Sequence, residues 1–309
     1  MELHPTLFSM LSLIAATTSF SLAIQRSSQD RIRLAFGTLH TASVIAWLLV
    51  ISFQSSPSLY SQLAVPFITG LTIHSTAIVF LQKSMVRLDD TSISQRMRTI
   101  YRVWSNVRNL PLDRSEVELP ERPGNQRLWF AAKRGARLCA LWAIECGASS
   151  TMNFLLIRRG VTLGDFSPAH QGLVPSASDM EVRGIMSVYW IWTAYHSLTV
   201  GHDLAAILFV AILGWDEADE WPPLFGNLME AYTLRRFWGV FWHRLHVHSF
   251  MLFIPLPRYL RSKLARGAFV SFSIFVLGAL SHAAANLVNY RQHFLIRSEE
   301  YGFLDEQLG

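Results

Sequence analysis

Apolar runs long enough to cross a bilayer, separated by loops whose basic charge alternates, constrain this chain more than any other feature. A helix crossing about 30 Å of hydrocarbon needs about 20 mostly apolar residues. Thr6–Ile24, Leu34–Phe53, Leu63–Leu81, Gly184–Leu213 and Gly267–Asn289 meet that length. A sixth run, Leu138–Ile157, is interrupted by Glu145 and Asn153. A shorter one, Phe250–Leu256, stops at Pro257 and reads as a re-entrant or interfacial helix. Only 16% of the 309 residues are charged, against about 25% in soluble domains. The net charge of +5 is dispersed, and no nucleic-acid motif accompanies it.

Loop charges orient the runs. Arg26, Arg31 and Arg33 mark a cytosolic loop, residues 54–62 carry no charge, and residues 83–137 hold twelve Lys or Arg. Counting Leu138–Ile157 as a span returns the chain to the cytosol near Trp215. The seven basic residues Arg235, Arg236, Arg244, Arg258, Arg261, Lys263 and Arg266 then obey the positive-inside rule. The expected fold is all-α: a polytopic integral membrane protein of about six transmembrane helices plus interfacial helices, both termini lumenal. The first run lacks a basic leader and reads as a retained helix. The expected organisation is a three-helix segment over 1–82, a basic cytosolic loop over 83–137, and a core over 138–309, all within one membrane domain. Pro111, Pro120 and Pro123 mark the middle of that loop as a flexible or surface-lying connector. Cys139 and Cys146 share one apolar stretch and read as packing residues rather than a disulfide.

The residues able to do chemistry gather toward the C-terminus. His282 lies in VLGALSHAAANLVN, within the last run. An ionisable side chain in hydrocarbon is costly and by default functional, and a neutral imidazole suits a general base for a hydroxyl. The competing reading is a histidine bonded between helices for packing. His243, His246 and His248 form HxxHxH, a spacing compatible with a metal, although no second box completes a ligand set. Interfacial histidines are the simpler account. Trp221, Phe225, Phe237, Trp238, Phe241 and Trp242 form either an aromatic belt or, behind the turn set by Pro222, Pro223 and Gly226, part of a lid. In the lid reading Ala231–His248 is an amphipathic surface helix. Arg235 and Arg236 then meet the phosphates of an acyl carrier such as coenzyme A, or serve only as positive-inside charges. Tyr189, Trp190, Trp192, Tyr195 and His196 read as interfacial anchors.

WPPLFGN, then TLRRFWGVFWHR, then a membrane histidine in LGALSHAAA, resembles the wax synthase-like branch of the membrane-bound O-acyltransferases, in its fungal secondary-metabolite acetyltransferase form. The resemblance is specific over about Gly214–Asn289 and rests on hydropathy before that. It implies transfer of an acyl group, most simply acetyl from acetyl-CoA, to a hydroxyl of a hydrophobic terpenoid or meroterpenoid. His282 matches the family's membrane histidine, the expected base. His243 closes the FW…WH element and, with Asn227, is expected to hold the thioester or its oxyanion. Arg235, Arg236 and Trp238 are the expected acyl-CoA contacts. Acyl-CoA is the co-substrate, with no bound cofactor, no metal and no nucleic acid. The other partners are the lipid bilayer, expected to be that of the endoplasmic reticulum, and a hydroxylated apolar small molecule. Family members commonly continue past this histidine with further hydrophobic helices, whereas 290–309 here is polar. Wax-ester synthesis from long-chain alcohols, a metal-dependent oxidoreductase and a non-catalytic lipid- or partner-binding protein are the alternatives.

Overall fold

The computed structural model describes residues 5–27, 29–52, 59–82, 86, 92–108, 124–160, 176–243, 245–257 and 259–284. Pro111, Pro120, Pro123, Arg244, Arg258 and the tail from Ala285 lie outside them. The described residues are mostly helical, in the order α1 (Pro5–Ile24), α2 (Arg31–Ser52), α3 (Leu59–Thr76), α4 (Ile93–Ser105), α5 (Gly124–Arg158), α6 (Ala177–Ala206), α7 (Leu234–Arg236) and α8 (Val247–Phe253). The last helix, α9, runs over Lys263–Ala284. Among the described residues, five helices are long and apolar enough to cross a membrane, and the shorter apolar stretch Ile68–Leu81 stands beside them. The protein is an all-α polytopic membrane protein.

The chain divides into two compact units, one of residues 1–113 with 244–309, the other of residues 114–243. In the first, α1 and α2 lie against each other through small side chains. Ser12, Ala16, Ser19 and Ala23 are buried on one face of α1, and His40, Ser43 and Val44 on α2. Small residues let helix backbones approach where lipid offers no hydrophobic drive for association. His40 joins three helices, its Nδ1 2.8 Å from the Ala16 carbonyl and its Nε2 2.7 Å from Ser75 Oγ. α3 ends in a wider π turn, Ala77–Leu81. Arg33 closes that turn by donating to the carbonyls of Ile78, Val79 and Gln82 at 2.8–2.9 Å. This arginine, read from sequence as a topology charge, is fully buried and caps a helix end. α4 starts on a capping box between Ser92 and Gln95. Its Ile100, Val103 and Trp104 pack on Phe20, Ile78 and Val79. The stretch 83–137 thus includes an amphipathic helix and the first turns of α5.

The second unit is built on the antiparallel pair α5 and α6, joined at successive levels by polar contacts. Arg159 meets Glu181 at one end through two bonds of 2.7 Å. Midway, Glu145 accepts from Tyr189 Oη at 3.0 Å and Trp192 Nε1 at 2.6 Å. Further along, Arg134 donates to Asp203 at 2.5 Å. Glu145, which interrupts the apolar run in sequence, is therefore held by two donors. Tyr189 and Trp192, expected as interfacial anchors, supply them. α6 continues as a π turn, Ile207–Ile212.

Candidate active site

In the second unit the Trp221 turn is fixed by α5 and α6. Arg134, whose first bond goes to the wholly buried Asp203, donates its second to the Trp221 carbonyl at 2.6 Å. Trp221 Nε1 donates to Asp216 at 3.1 Å, and its ring stacks on Phe209 at 6.2 Å. Pro222 and Pro223 then send Leu224 and Phe225 into the interior, where each is 7% exposed. Phe225 lies among Tyr195 at 4.6 Å, Trp242 at 5.4 Å and Phe241 at 5.8 Å.

Gly226 joins the two halves of the motif. Its N–H donates to the Phe241 carbonyl at 2.8 Å, and a Cβ there would stand 2.2 Å from the Val240 carbonyl oxygen. Only a residue without a side chain lets these backbones approach so closely.

Ala231–His248 is not the continuous amphipathic helix expected from its sequence. Thr233 caps the single turn α7, which widens into a π turn at Phe237–Phe241. Trp242 is extended, with ψ 148°, and a new helix begins only at Val247. Phe237 and Trp242 stack at 5.4 Å across the break. The aromatics pack on one another and on α6 within the unit.

The expected site residues fall as follows. His243 sets its ring edge-on to Phe225 at 5.7 Å and tilted to Trp242 at 5.3 Å. Asn227 is exposed, and its side-chain oxygen caps the turn Leu228–Glu230 by accepting from Met229 N at 3.0 Å. Arg236 is engaged by Glu230, through a 2.6 Å bond to its carbonyl and a 3.0 Å ion pair. Its guanidinium lies over Tyr232. Arg235 is exposed, and so is Trp238.

His282 belongs to the first unit. It is exposed on α9, of which no residue is buried. Sequence reasoning did not find the contacts of His74 and His246. His74 on α3 bridges to α8 and α4, its Nδ1 3.0 Å from Ser249 Oγ and its Nε2 3.2 Å from the Val103 carbonyl. A carbonyl only accepts, so Nε2 carries the proton and Nδ1 accepts from the serine. His246, just before α8, rests on Gly70, and its ring lies 5.9 Å from that of Phe250. Burial pushes the His246 imidazolium down to about 4, and the neighbouring His282 and then His74 add to the effect. His246 is therefore neutral at working pH. Among the described residues, no three His, Cys, Asp or Glu converge as a metal site.

Residues 221–299 match the Membrane bound O-acyl transferase family, a stretch holding both the Trp221–His243 motif and His282. The chain is similar to the acetyltransferase eriL of Hericium erinaceus, 24% identical over 74% of this chain and 59% of that protein. It is similar to the acetyltransferase spyB of Aspergillus fumigatus, 33% identical over 34% of this chain and 19% of that protein. It is also similar to the O-Mevalon transferase yanI of Aspergillus niger, 36% identical over 26% of this chain and 20% of that protein. The matched stretch thus spans at most 59% of the length of these three relatives. No solved structure matches the chain. Over residues 221–299, the chain is thus similar to the Membrane bound O-acyl transferase family.

Proposed function

We propose that the chain is an acyl-CoA-dependent O-acyltransferase of the endoplasmic reticulum membrane. It transfers acetyl from acetyl-CoA to a hydroxyl of an apolar secondary metabolite, a terpenoid or meroterpenoid. The observation that carries this reading is the family match over 221–299, which takes in the aromatic motif and His282 together. The acetyltransferase names of eriL and spyB support acetyl as the group transferred. The name of yanI favours a second reading of the donor, a larger acyl group on the same carrier.

In the proposed reaction His282 takes the hydroxyl proton as the alcohol oxygen attacks the thioester carbonyl. The tetrahedral oxyanion collapses, the carbon–sulfur bond breaks, and the proton passes from His282 to the departing thiolate. The products are an ester and free coenzyme A. His243 and Asn227 are the proposed donors to the thioester oxygen, a contribution that is typically large in acyl transfer. Arg235, Arg236 and Trp238 are the proposed coenzyme A contacts. Because Arg236 is already paired with Glu230, Arg235 carries more of the proposed phosphate binding.

The test uses microsomes carrying the full chain, radiolabelled acetyl-CoA or palmitoyl-CoA, and a panel of hydroxylated terpenoids and long-chain alcohols. Acetyl ester formation on a terpenoid is expected. Palmitoyl esters of the long-chain alcohols alone would replace this reading with wax-ester synthesis. No ester from any pair would contradict it.

A further inference from the structure

One apolar stripe on α4 runs further than the protein that covers it. Side chains three and four residues apart share a helix face. Ile93, Met97, Ile100 and Trp104 follow that spacing along the whole of α4, with Val103 at the edge of the same face.

The C-terminal half of the stripe is docked. Ile100, Val103 and Trp104 pack against the cluster of Phe20, Ile24 and Val79. The Trp104 ring lies 6.1 Å from that of Phe20 and 6.3 Å from that of His40. His74 Nε2 donates to the Val103 carbonyl at 3.2 Å. These contacts fix the rotation of α4 about its axis, and with it the direction in which the rest of the stripe faces.

The N-terminal half is uncovered among the described residues. Ile93 is 77% and Met97 56% exposed. This half is nonetheless a closed helical turn. Gln95 N donates to Ser92 Oγ at 3.3 Å, and Ser92 N to Gln95 Oε1 at 2.9 Å, so both orphan ends of the first turn are satisfied. Ile93 and Met97 are therefore held outward in line with the docked half.

The level at which this happens is the end of the membrane helices. Val86 N donates at 2.9 Å to the carbonyl of Ile24, the last residue of α1. Val79, on which α4 rests, belongs to the π turn that ends the α3 stretch. Arg26 and Arg31 lie between α1 and the start of α2, and such charges mark the cytosolic side. An apolar stripe leaving the bundle there meets the boundary between headgroups and acyl chains. The rest of α4 suits that boundary. Helical spacing puts Arg98 and Arg102 opposite the stripe and Arg96 at its edge, and α4 contains no Asp or Glu. Helices with one apolar and one basic face lie in the plane of the bilayer surface, and the cytosolic leaflet is the anionic one.

We propose that α4 is an interfacial anchor, with Ile93 and Met97 seated in the acyl boundary of the cytosolic leaflet and Arg96, Arg98 and Arg102 holding anionic phospholipid headgroups. Ile100, Val103 and Trp104 transmit that hold to α1 and α3. The anchor does not depend on which reaction the protein performs.

The experiment uses the full chain in lipid nanodiscs, with Cys139→Ser and Cys146→Ser removing the two native thiols. A bimane label is placed on Ile93→Cys or on Met97→Cys. Phosphatidylcholine carrying a doxyl group near its ester carbonyls should quench both labels strongly, and aqueous iodide should quench them little. Quenching by iodide alone would put the stripe in water and overturn the proposal. Quenching by neither would mean that a second copy or another protein covers it, and would also overturn the proposal.

The headgroup is tested by comparing doxyl-labelled phosphatidylserine with doxyl-labelled phosphatidylcholine. The serine lipid should reach half-quenching at about fivefold lower mole fraction, the enrichment that one arginine beside an anionic surface gives. Replacing all three arginines, Arg96→Gln, Arg98→Gln and Arg102→Gln, should bring the two lipids to equal potency. Equal potency with the arginines in place would overturn the proposal. If the triple variant does not elute as a folded species from size exclusion, the three single variants decide. A reduced preference in any of them supports the anchor, and an unchanged preference in all three contradicts it.

Discussion

Gly70 on α3 carries the imidazole of His246: a methyl group there would stand 2.4 Å from Cε1. Gly70→Ala should therefore destabilise the protein by overpacking, by about 1–3 kcal/mol. Shortening the ring side chain as well, in Gly70→Ala with His246→Ala, should return part of that loss. Thermal melts in detergent of the two single variants and the double variant form the cycle. Strictly additive losses would show that the two positions do not touch.

The Arg134–Asp203 pair gives a second prediction. Asp203 is wholly buried and Arg134 nearly so. Removing Arg134 leaves the buried Asp203 carboxylate only the longer contacts to Arg137 and His202, each at 3.6 Å, so Arg134→Leu should cost up to about 3–5 kcal/mol. Arg134→Leu with Asp203→Leu should cost less than Arg134→Leu alone, because no poorly paired carboxylate then stays buried. Denaturation midpoints in detergent measure both. Since Arg134 also holds the Trp221 carbonyl, tryptophan fluorescence should shift in the single variant.

Gly226 offers a third. Its missing side chain lets the WPPLFG segment bond to the Phe241 carbonyl. Gly226→Ala would press a methyl group into the Val240 carbonyl, with an expected loss of more than about 2 kcal/mol. Gly147, where a Cβ would meet nothing within 4 Å, is the control. Gly147→Ala should leave the melting temperature unchanged or raise it slightly. Equal melts for the two variants would contradict the close approach.

His246 contributes to the pH dependence of stability. Burial pushes its imidazolium down to about 4 in the folded protein, against an ordinary value of about 6.5. Between those values the unfolded chain binds a proton that the folded chain does not. The stability present above about 6.5 is therefore lost as pH falls toward about 4. His246→Gln should lessen the slope of the melting temperature across that window. An unchanged slope would show that another group sets it.

Much of the fold was legible in sequence because membrane helices must satisfy their own backbone bonds, so apolar runs of the right length declare themselves. The full extent of α5 was not, since Lys133, Arg134 and Arg137 lower the local hydropathy. Two of those charges turn inward, Arg134 lying 2.5 Å and Arg137 3.6 Å from Asp203. Periodicity made Ala231–His248 look helical. The bond from Gly226 to Phe241 and the stacking of Phe237 on Trp242 break it, and neither belongs to a local pattern. His243, His246 and His248 looked like one box, yet His246 is defined by Gly70, far away in the chain. His74 and Ser249 are 175 positions apart, a separation that no spacing rule spans. His282 stands out in the sequence because an imidazole in an apolar run is conspicuous whatever surrounds it, and its role is a proposal.

Initial rates of acetyl transfer by His282→Ala in microsomes test the central claim most directly, at an expression level and elution volume matched to the unaltered protein. Losing a positioned general base typically costs about 10² to 10⁴-fold, so ester formation should fall to near background while the protein remains folded. Ester formation at the unaltered rate would contradict the account.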